Sequence, residues 1–371
     1  MHLTRLALTD FRSYAAADLA LEPGVSTFTG ANGEGKTNLV EAAGYVATFA
    51  SHRVGTDAPM VRHGADRAIL RAGISSSARD ALVEIELNPG KANRVRLNRV
   101  PVPRPRDVLG TLRCVLFAPE DLSVVKGDPD QRRRYLDDLM VATRPRFAGI
   151  RSDYERVVRQ RTALLKSARA RGYGTPAALE VWDEQLVTTG AQITAGRLEL
   201  ITAIRPLVAT AYARVSGEEQ GAQMSYRQAF GAGGEPDADR VKLAELMRAA
   251  LESSRRAELE RAVCLVGPHR DELELRIGEL PARGYASHGE SWSLALALRL
   301  AAYELLRSDS EDPVLMLDDV FAELDSGRRE RLAELVGDAE QVLVTAAVAD
   351  DVPSRLAGSY FAVSGGVIKR A

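Results

Sequence analysis

The spacing of apolar residues changes twice along this 371-residue chain. In the first part the period is close to two. "MHLTRLALTDF" (1–11), "VSTFTG" (25–30), "AILRAGIS" (68–75), "ALVEIELN" (81–88) and "RVRLNRVPV" (94–102) all alternate in this way. Successive side chains of an extended chain point to opposite faces, so these segments predict strands. A turn is expected at Asn88-Pro89-Gly90. From about Asp130 the spacing lengthens to three and four. Residues 130–170, 177–215 and 239–262 read as helices, separated by loops at "RGYGTP" (171–176) and "GAGGEPDA" (231–238). Strand-like pattern returns at "AVCLVG" (262–267) and "DELELRIG" (271–278). The chain then runs helix, strand, helix, strand over 291–307, 313–321, 326–337 and 341–348. This order predicts an α/β protein with a β-rich N-terminal part. Its head is expected from both ends of the chain, residues 1–129 plus 261–371, around a mainly helical insertion at 130–260.

The most specific chemistry lies between the second predicted strand and an apolar helix pattern. Gly30-Ala31-Asn32-Gly33-Glu34-Gly35-Lys36-Thr37 fits G-x-x-x-x-G-K-[ST], with Asn38 following. Glycines let the backbone wrap an anion with its N–H groups inward, and the next helix presents its N-terminus to phosphate. Lys36 is expected on the outer phosphates of a nucleoside triphosphate and Thr37 on a magnesium ion. A second stretch completes such a site. "VLMLDDVFAELD" (314–325) has four apolar residues followed by two carboxylates, the pattern of a buried parallel strand ending at the ligand edge of a sheet. Asp318 is the expected magnesium ligand and Asp319 the expected general base. "ASHGESW" (286–292) opens a further helix with Ser287 and Gly289, a second candidate phosphate-facing start. Two such starts crowd one nucleotide, so Ser287 and Gly289 are expected to serve a second subunit.

Composition narrows the class. The chain is 45% hydrophobic and 27% charged, an ordinary globular profile. No stretch approaches the ~20 apolar residues of a membrane span, and the start lacks the unbroken apolar core of a signal peptide. A cytoplasmic protein without membrane partners is expected. Cys114 and Cys264 sit in apolar surroundings and read as small buried hydrophobes. The histidines His52, His63 and His269 are not spaced as a metal site.

The order of these motifs resembles the ATP-binding-cassette superfamily, and more narrowly the RecF family of its SMC- and Rad50-like group. "LTDFRSY" (8–14) is similar to that group's opening, "FAPEDLSVVKGDPDQRRRYLD" (117–137) to a RecF segment, and "VGPHRDEL" (266–273) to the RecF G-P-H-R-D element. The resemblance implies an ABC-type P-loop ATPase head whose homodimer sandwiches two ATP molecules with Mg2+. Asp325 would be the cross-subunit aspartate, and Arg12 would lie near the nucleotide. Glu120 would stand at the Q-loop position. It also implies RecO- and RecR-like partners and support of recombinase loading in repair. The chain departs from the pattern at Ala286, His288 and Glu290, where L-S-G-G-Q is usual. Asp319 replaces a longer glutamate, which suggests slow turnover. Thr345 stands near the place of the switch histidine. An ATP-sensing module with little hydrolysis, or a transport-type ATPase subunit, are the alternatives.

Net charge is −2, so a DNA partner must show itself locally. Lys91, Arg94, Arg96, Arg99, Arg104 and Arg106 fall within sixteen residues that hold no acid. Residues 131–171 carry twelve Lys/Arg, among them Arg132, Arg133 and Arg134, against four Asp/Glu. Neither stretch interleaves aromatics. Backbone contact with duplex DNA, or a single-strand/double-strand junction, fits this better than base stacking. Arginine supplies all but six of the 49 basic residues, a bias that GC-rich coding also produces.

Overall fold

The computed structural model describes residues 1–171, 178–217, 221–231, 237–309 and 311–371. The chain begins with β1 (His2–Phe11), β2 (Tyr14–Ala20) and β3 (Gly24–Thr29), then α1 (Lys36–Thr48). Five strands follow: β4 (Ala68–Ser75), β5 (Ala81–Leu87), β6 (Arg94–Leu97), β7 (Val100–Val102) and β8 (Cys114–Phe117). Then come α2 (Pro129–Thr143), α3 (Phe147–Arg171), α4 (Ala178–Ser216), β9 (Ala222–Arg227), α5 (Arg240–Arg261), β10 (Glu272–Ile277) and β11 (Leu280–Pro281). The chain closes with α6 (His288–Asp309), β12 (Val314–Asp318), α7 (Ser326–Val336), β13 (Gln341–Ala346), β14 (Ser359–Ser364) and β15 (Val367–Arg370).

Two units form. The first comprises Met1–Leu122, Leu207–Gly221 and Ser287–Ala371. It holds an antiparallel sheet in the order β2-β1-β4-β5-β6-β7 and a second sheet ordered β15-β14-β3-β13-β12-β8. In the second sheet β3 lies parallel to β13 and β14, and β12 parallel to β13 and β8. Burial explains the sequence pattern. Every residue of β12 and β13 is buried, so their apolar residues run on without alternation. On β4 buried and half-buried residues alternate strictly. Helix α1 packs against β4 of one sheet and β8, β12 and β13 of the other. One core therefore joins Leu70 and Ile85 to Val40, Val46, Met316 and Leu343. Helix α1 is thereby fixed, and with it the loop before it.

The second unit comprises Ser123–Pro206 and Ala222–Ala286. It is helical apart from the sheet β11-β10-β9. Strand β10 pairs with β9 along its full length, Glu272 opposite Arg227 to Ile277 opposite Ala222. That ladder places residues 261–286 with the helices rather than with the head. Residues 123–129 join them, and the C-terminal part of α4 from Leu207 belongs to the first unit. These are the differences from the expected boundaries at 130 and 260.

Other expectations are also revised. "AVCLVG" is not a strand: helix α5 stops at Ala262, whose left-handed backbone (φ 56°) turns the chain into a loop. "RVRLNRVPV" is a hairpin, β6 turning into β7 through Asn98 and Arg99, both with positive φ. The predicted loops at 171–176 and 231–238 fall largely outside the described residues.

Candidate nucleotide-binding site

The loop between β3 and α1 is held where only glycine fits. A methyl carbon on Gly30 would stand 2.2 Å from the Val363 carbonyl oxygen of β14. Gly35 (φ 110°) precedes the helix, and a methyl there would meet the Ser13 hydroxyl at 2.7 Å. No side chain caps the start of α1. Its first N–H groups thus keep the anion-binding capacity of a helix N-terminus. Lys36 Nζ arches back over the loop, donating to the carbonyls of Gly30 (2.8 Å) and Ala31 (3.2 Å) and to Asn32 Oδ1 (3.5 Å). The Tyr14 hydroxyl donates to the Gly35 carbonyl at 3.1 Å. The Glu34 carboxylate accepts the Gly365 N–H from the β14–β15 turn. Asn38 donates to Ser13 Oγ at 2.9 Å and accepts from Arg53 at 3.0 Å.

The two carboxylates arrive from β12. Asp318 is the strand's last residue and lies opposite Thr345 of β13. Its Oδ1 accepts hydrogen bonds from Thr37 Oγ1 (3.0 Å) and Thr345 Oγ1 (2.7 Å). Burial pushes its carboxyl up to about 6, against those two hydrogen bonds and aided by the charges of Asp319 and Glu120. A divalent cation would stabilise the charged form of such a carboxylate. Thr37 and Asp318 offer adjacent oxygens suited to magnesium, so the donor set fits the ion. Asp319 has a left-handed backbone (φ 51°), and its N–H donates to Thr345 Oγ1 at 2.9 Å. The Thr345 hydroxyl is thus engaged at Asp318 and Asp319.

Two features of this site were not visible in the sequence. His52, in the loop after α1, places Nε2 3.8 Å from Asp318 Oδ2. That nitrogen is buried with no hydrogen-bond partner, and burial holds the ring below its ordinary pKa. The second is Glu41 on α1, fully buried. Burial would raise its carboxyl, but hydrogen bonds from Arg12 and Ser51 outweigh it. Arg12 donates to both Glu41 oxygens (2.7 and 2.5 Å) and to the Pro59 carbonyl (2.9 Å). Arg12, expected near the nucleotide, is thus engaged in a structural ion pair. A cleft of about 610 Å³ opens beside it, lined among others by Ser13, Asn38, Arg53, Pro59 and His63.

The remaining expected residues gather at the starts of α6 and α7. Ser287 and Glu290 form a reciprocal capping box: the Ser287 N–H donates to Glu290 Oε2 (2.8 Å) and the Glu290 N–H to Ser287 Oγ (3.2 Å). The Ser287 hydroxyl and then the Ser287 N–H, both at the Glu290 carboxylate, hold it below the usual carboxylate range. Asp325 caps α7 by accepting the Arg328 N–H at 2.9 Å. Glu120 is exposed in the turn Pro119–Asp121, where its neighbour Asp121 is anchored to Arg299 of α6 at 2.6 and 3.0 Å.

The basic candidates divide. Arg94, Arg96 and Arg99 are all exposed on the β6–β7 hairpin. Arg132 is not available to DNA: it is buried and donates to both oxygens of Glu272 (2.7 and 3.2 Å) and to the Gly127 carbonyl (2.9 Å). Arg133 is half-buried, donating to the Asp271 carbonyl (2.6 Å) and to Asp130. Helix α2 turns these two inward because its buried stripe includes Arg132, Tyr135, Leu136 and Leu139. Of the three, Arg134 alone is exposed.

Residues 2–355 match the family model described as RecF/RecN/SMC N terminal domain. The chain is 58% identical over 375 residues to the DNA replication and repair protein RecF of Streptomyces avermitilis, covering all of both chains. It is 58% identical over 378 residues to the protein of the same name from Frankia alni, again covering all of both. Among solved structures it resembles a recombination mediator protein RecF–ATP of the RecFOR pathway. The TM-score is 0.90 at 25% identity, covering 100% of this chain and 97% of that one. No helix among the described residues is long and apolar enough to cross a membrane.

Proposed function

The chain belongs to the RecF family of DNA replication and repair proteins, and on that premise we propose that it is an ATP-dependent DNA-binding ATPase working as a two-headed clamp. The convergence of Thr37, Asp318 and Thr345 beside the Gly30–Thr37 loop carries this reading. The relative solved as RecF–ATP supports ATP as the nucleotide. The loop N–H groups and Lys36 bind the phosphates, Lys36 exchanging its loop carbonyls for phosphate oxygens. Thr37 and Asp318 would hold Mg2+, which would supply positive charge beside the phosphate oxygens. Asp319 accepts the proton of the attacking water. Ser287 and Gly289 of one subunit close on the nucleotide of the other, with Asp325 beside them. Closing requires the Ser287–Glu290 capping box to rearrange, since a carboxylate and a triphosphate repel at one helix start.

The exposed β6–β7 hairpin and Arg134 supply phosphate contacts for duplex DNA or a duplex/single-strand junction. RecO- and RecR-like partners follow from the pathway named for the solved relative. Slow hydrolysis then releases the clamp. A second reading, an ATP sensor with little turnover, draws on the short side chain of Asp319 and the occupied capping box.

ATP hydrolysis measured over a protein-concentration series, with and without duplex DNA and beside Lys36→Ala, separates these. The clamp gives activity that rises more than linearly with protein, is stimulated by DNA and is lost in Lys36→Ala. Activity linear in protein and indifferent to DNA refutes it. Saturable ATP binding with negligible turnover establishes the sensor.

A further inference from the structure

Arg328 lies in the first turn of α7, three residues after Asp325. Its backbone N–H makes the capping bond to Asp325, and its side chain reaches further. Nη1 pairs with the second oxygen of Asp325, while Nε donates to the hydroxyl of Ser293 at 2.9 Å. Ser293 is fully buried in α6. The guanidinium also lies against Gly289: a methyl carbon built there would stand 3.0 Å from Nη2 and 3.2 Å from Nη1. No φ strain singles out Gly289, so the space it leaves for Arg328 is a physical reason for a glycine there. One planar cation thus joins the start of α6 to the start of α7. Because its donors form a rigid fork, fixing the guanidinium at Ser293 and Asp325 fixes both helix starts. The neighbouring arginines make different contacts: Arg329 donates to the Leu324 carbonyl and Arg331 to the Val215 carbonyl, each at 2.9 Å.

We infer that Arg328 is a positioning residue. It sets Ser287 and Gly289 in the geometry that meets the nucleotide of a second copy of this chain, and it couples them to Asp325. The inference rests on the shared-site reading above. It requires that loss of Arg328 damage the partner's nucleotide site and spare its own.

Mixed dimers test this. Arg328→Ala alone lowers turnover at least about tenfold, while its affinity for a fluorescent ATP analogue at protein concentrations below dimerisation changes less than about twofold. Asp319→Asn alone is inactive. In an equimolar mixture, half the dimers carry one variant of each kind. Each of these has one composite site with an intact Asp319 facing an intact Arg328. Activity returns to about one quarter of wild type, the share of intact sites in a symmetric two-site dimer. If the mixture gives no more than the two variants separately, Arg328 acts within its own subunit and the inference is wrong. Ser293→Ala guards against misfolding of Arg328→Ala. It removes only the buried hydroxyl that holds Nε, and it lowers turnover about threefold or more with the same complementation. Unchanged turnover in Ser293→Ala also overturns the inference. A wild-type activity linear in protein instead overturns the shared-site reading itself.

Discussion

On the β6–β7 hairpin, Arg94, Arg96 and Arg99 all stand in water, with 78% of the Arg94 side chain exposed. In residues 131–171, another basic stretch, Arg132 and Arg161 are buried and Arg133 and Arg151 half-buried. Arg161 is the extreme case. It has no exposed surface and donates to Asp183 (2.6 Å), both oxygens of Glu258 (2.9 and 2.5 Å) and Cys264 Sγ (3.3 Å). Glu258 is buried as completely. The difference lies in the element. Strand β6, next to the rim of its sheet, sends alternate residues to water, so Arg94 and Arg96 stay exposed, Arg94 beside Glu86 at 3.8 Å. Packed helices bury part of each turn, and there an arginine on the inner face serves as an ion-pairing core residue. Local charge surplus therefore matches an exposed basic surface in the first stretch and overstates one in the second.

The largest expected effect breaks the buried side of this contrast. Arg161→Ala leaves Glu258 buried and uncompensated and destabilises the protein by about 3–5 kcal/mol in denaturant titration. Replacing the pair together, as Arg161→Met with Glu258→Leu, recovers most of that loss. A stability change below about 0.5 kcal/mol for Arg161→Ala alone would place the residue among ordinary surface arginines.

Next in size is a pH effect inside the same unit. His269 is pushed down to about 4, first by burial, while its Nδ1 lies 2.6 Å from the Tyr154 hydroxyl. The folded pKa lies below the ordinary 6.5, so the unfolded chain binds more protons between those values. Stability from this group is complete above pH 6.5 and is lost as pH falls toward 4, by at most about 3 kcal/mol. His269→Gln should flatten that part of the stability curve. An unchanged slope in the variant would mean that the ring titrates normally.

The third test concerns the exposed side. Arg94→Ala, Arg96→Ala and Arg99→Ala combined weaken duplex binding and lower the slope of log affinity against log salt by up to about 3 units, near 0.9 per lost phosphate contact. Stability stays within about 0.5 kcal/mol per site. Arg132→Ala does the reverse, costing about 3 kcal/mol of stability and leaving the salt slope alone. Equal salt slopes for the two variants would erase the contrast.

The smallest effect is local. Arg99 holds a left-handed backbone (φ 70°) in the hairpin turn. Arg99→Gly relieves roughly 1 kcal/mol of strain, raising the melting temperature slightly while lowering the salt slope by about one unit.

Local sequence determined much of this protein. The Gly30–Thr37 loop, the apolar run ending at Asp318-Asp319 and the alternation of β4 and β5 each reflect constraints acting over a few residues. The Ser287-x-x-Glu290 capping box was equally local, and its spacing alone would have identified it. Tertiary structure decided what depends on distant partners. Strand β10 joined the helical unit because it found β9, about fifty residues earlier in the chain. His52 reached Asp318, and Arg12 was drawn to Glu41, because α1 is clamped between two sheets. Arg328 met Gly289 and Ser293 only once α6 and α7 had packed. Whether an arginine faces water or a buried glutamate is likewise a long-range matter. Its own neighbours in sequence do not fix the outcome, and the choice falls to whichever surface the fold leaves in water.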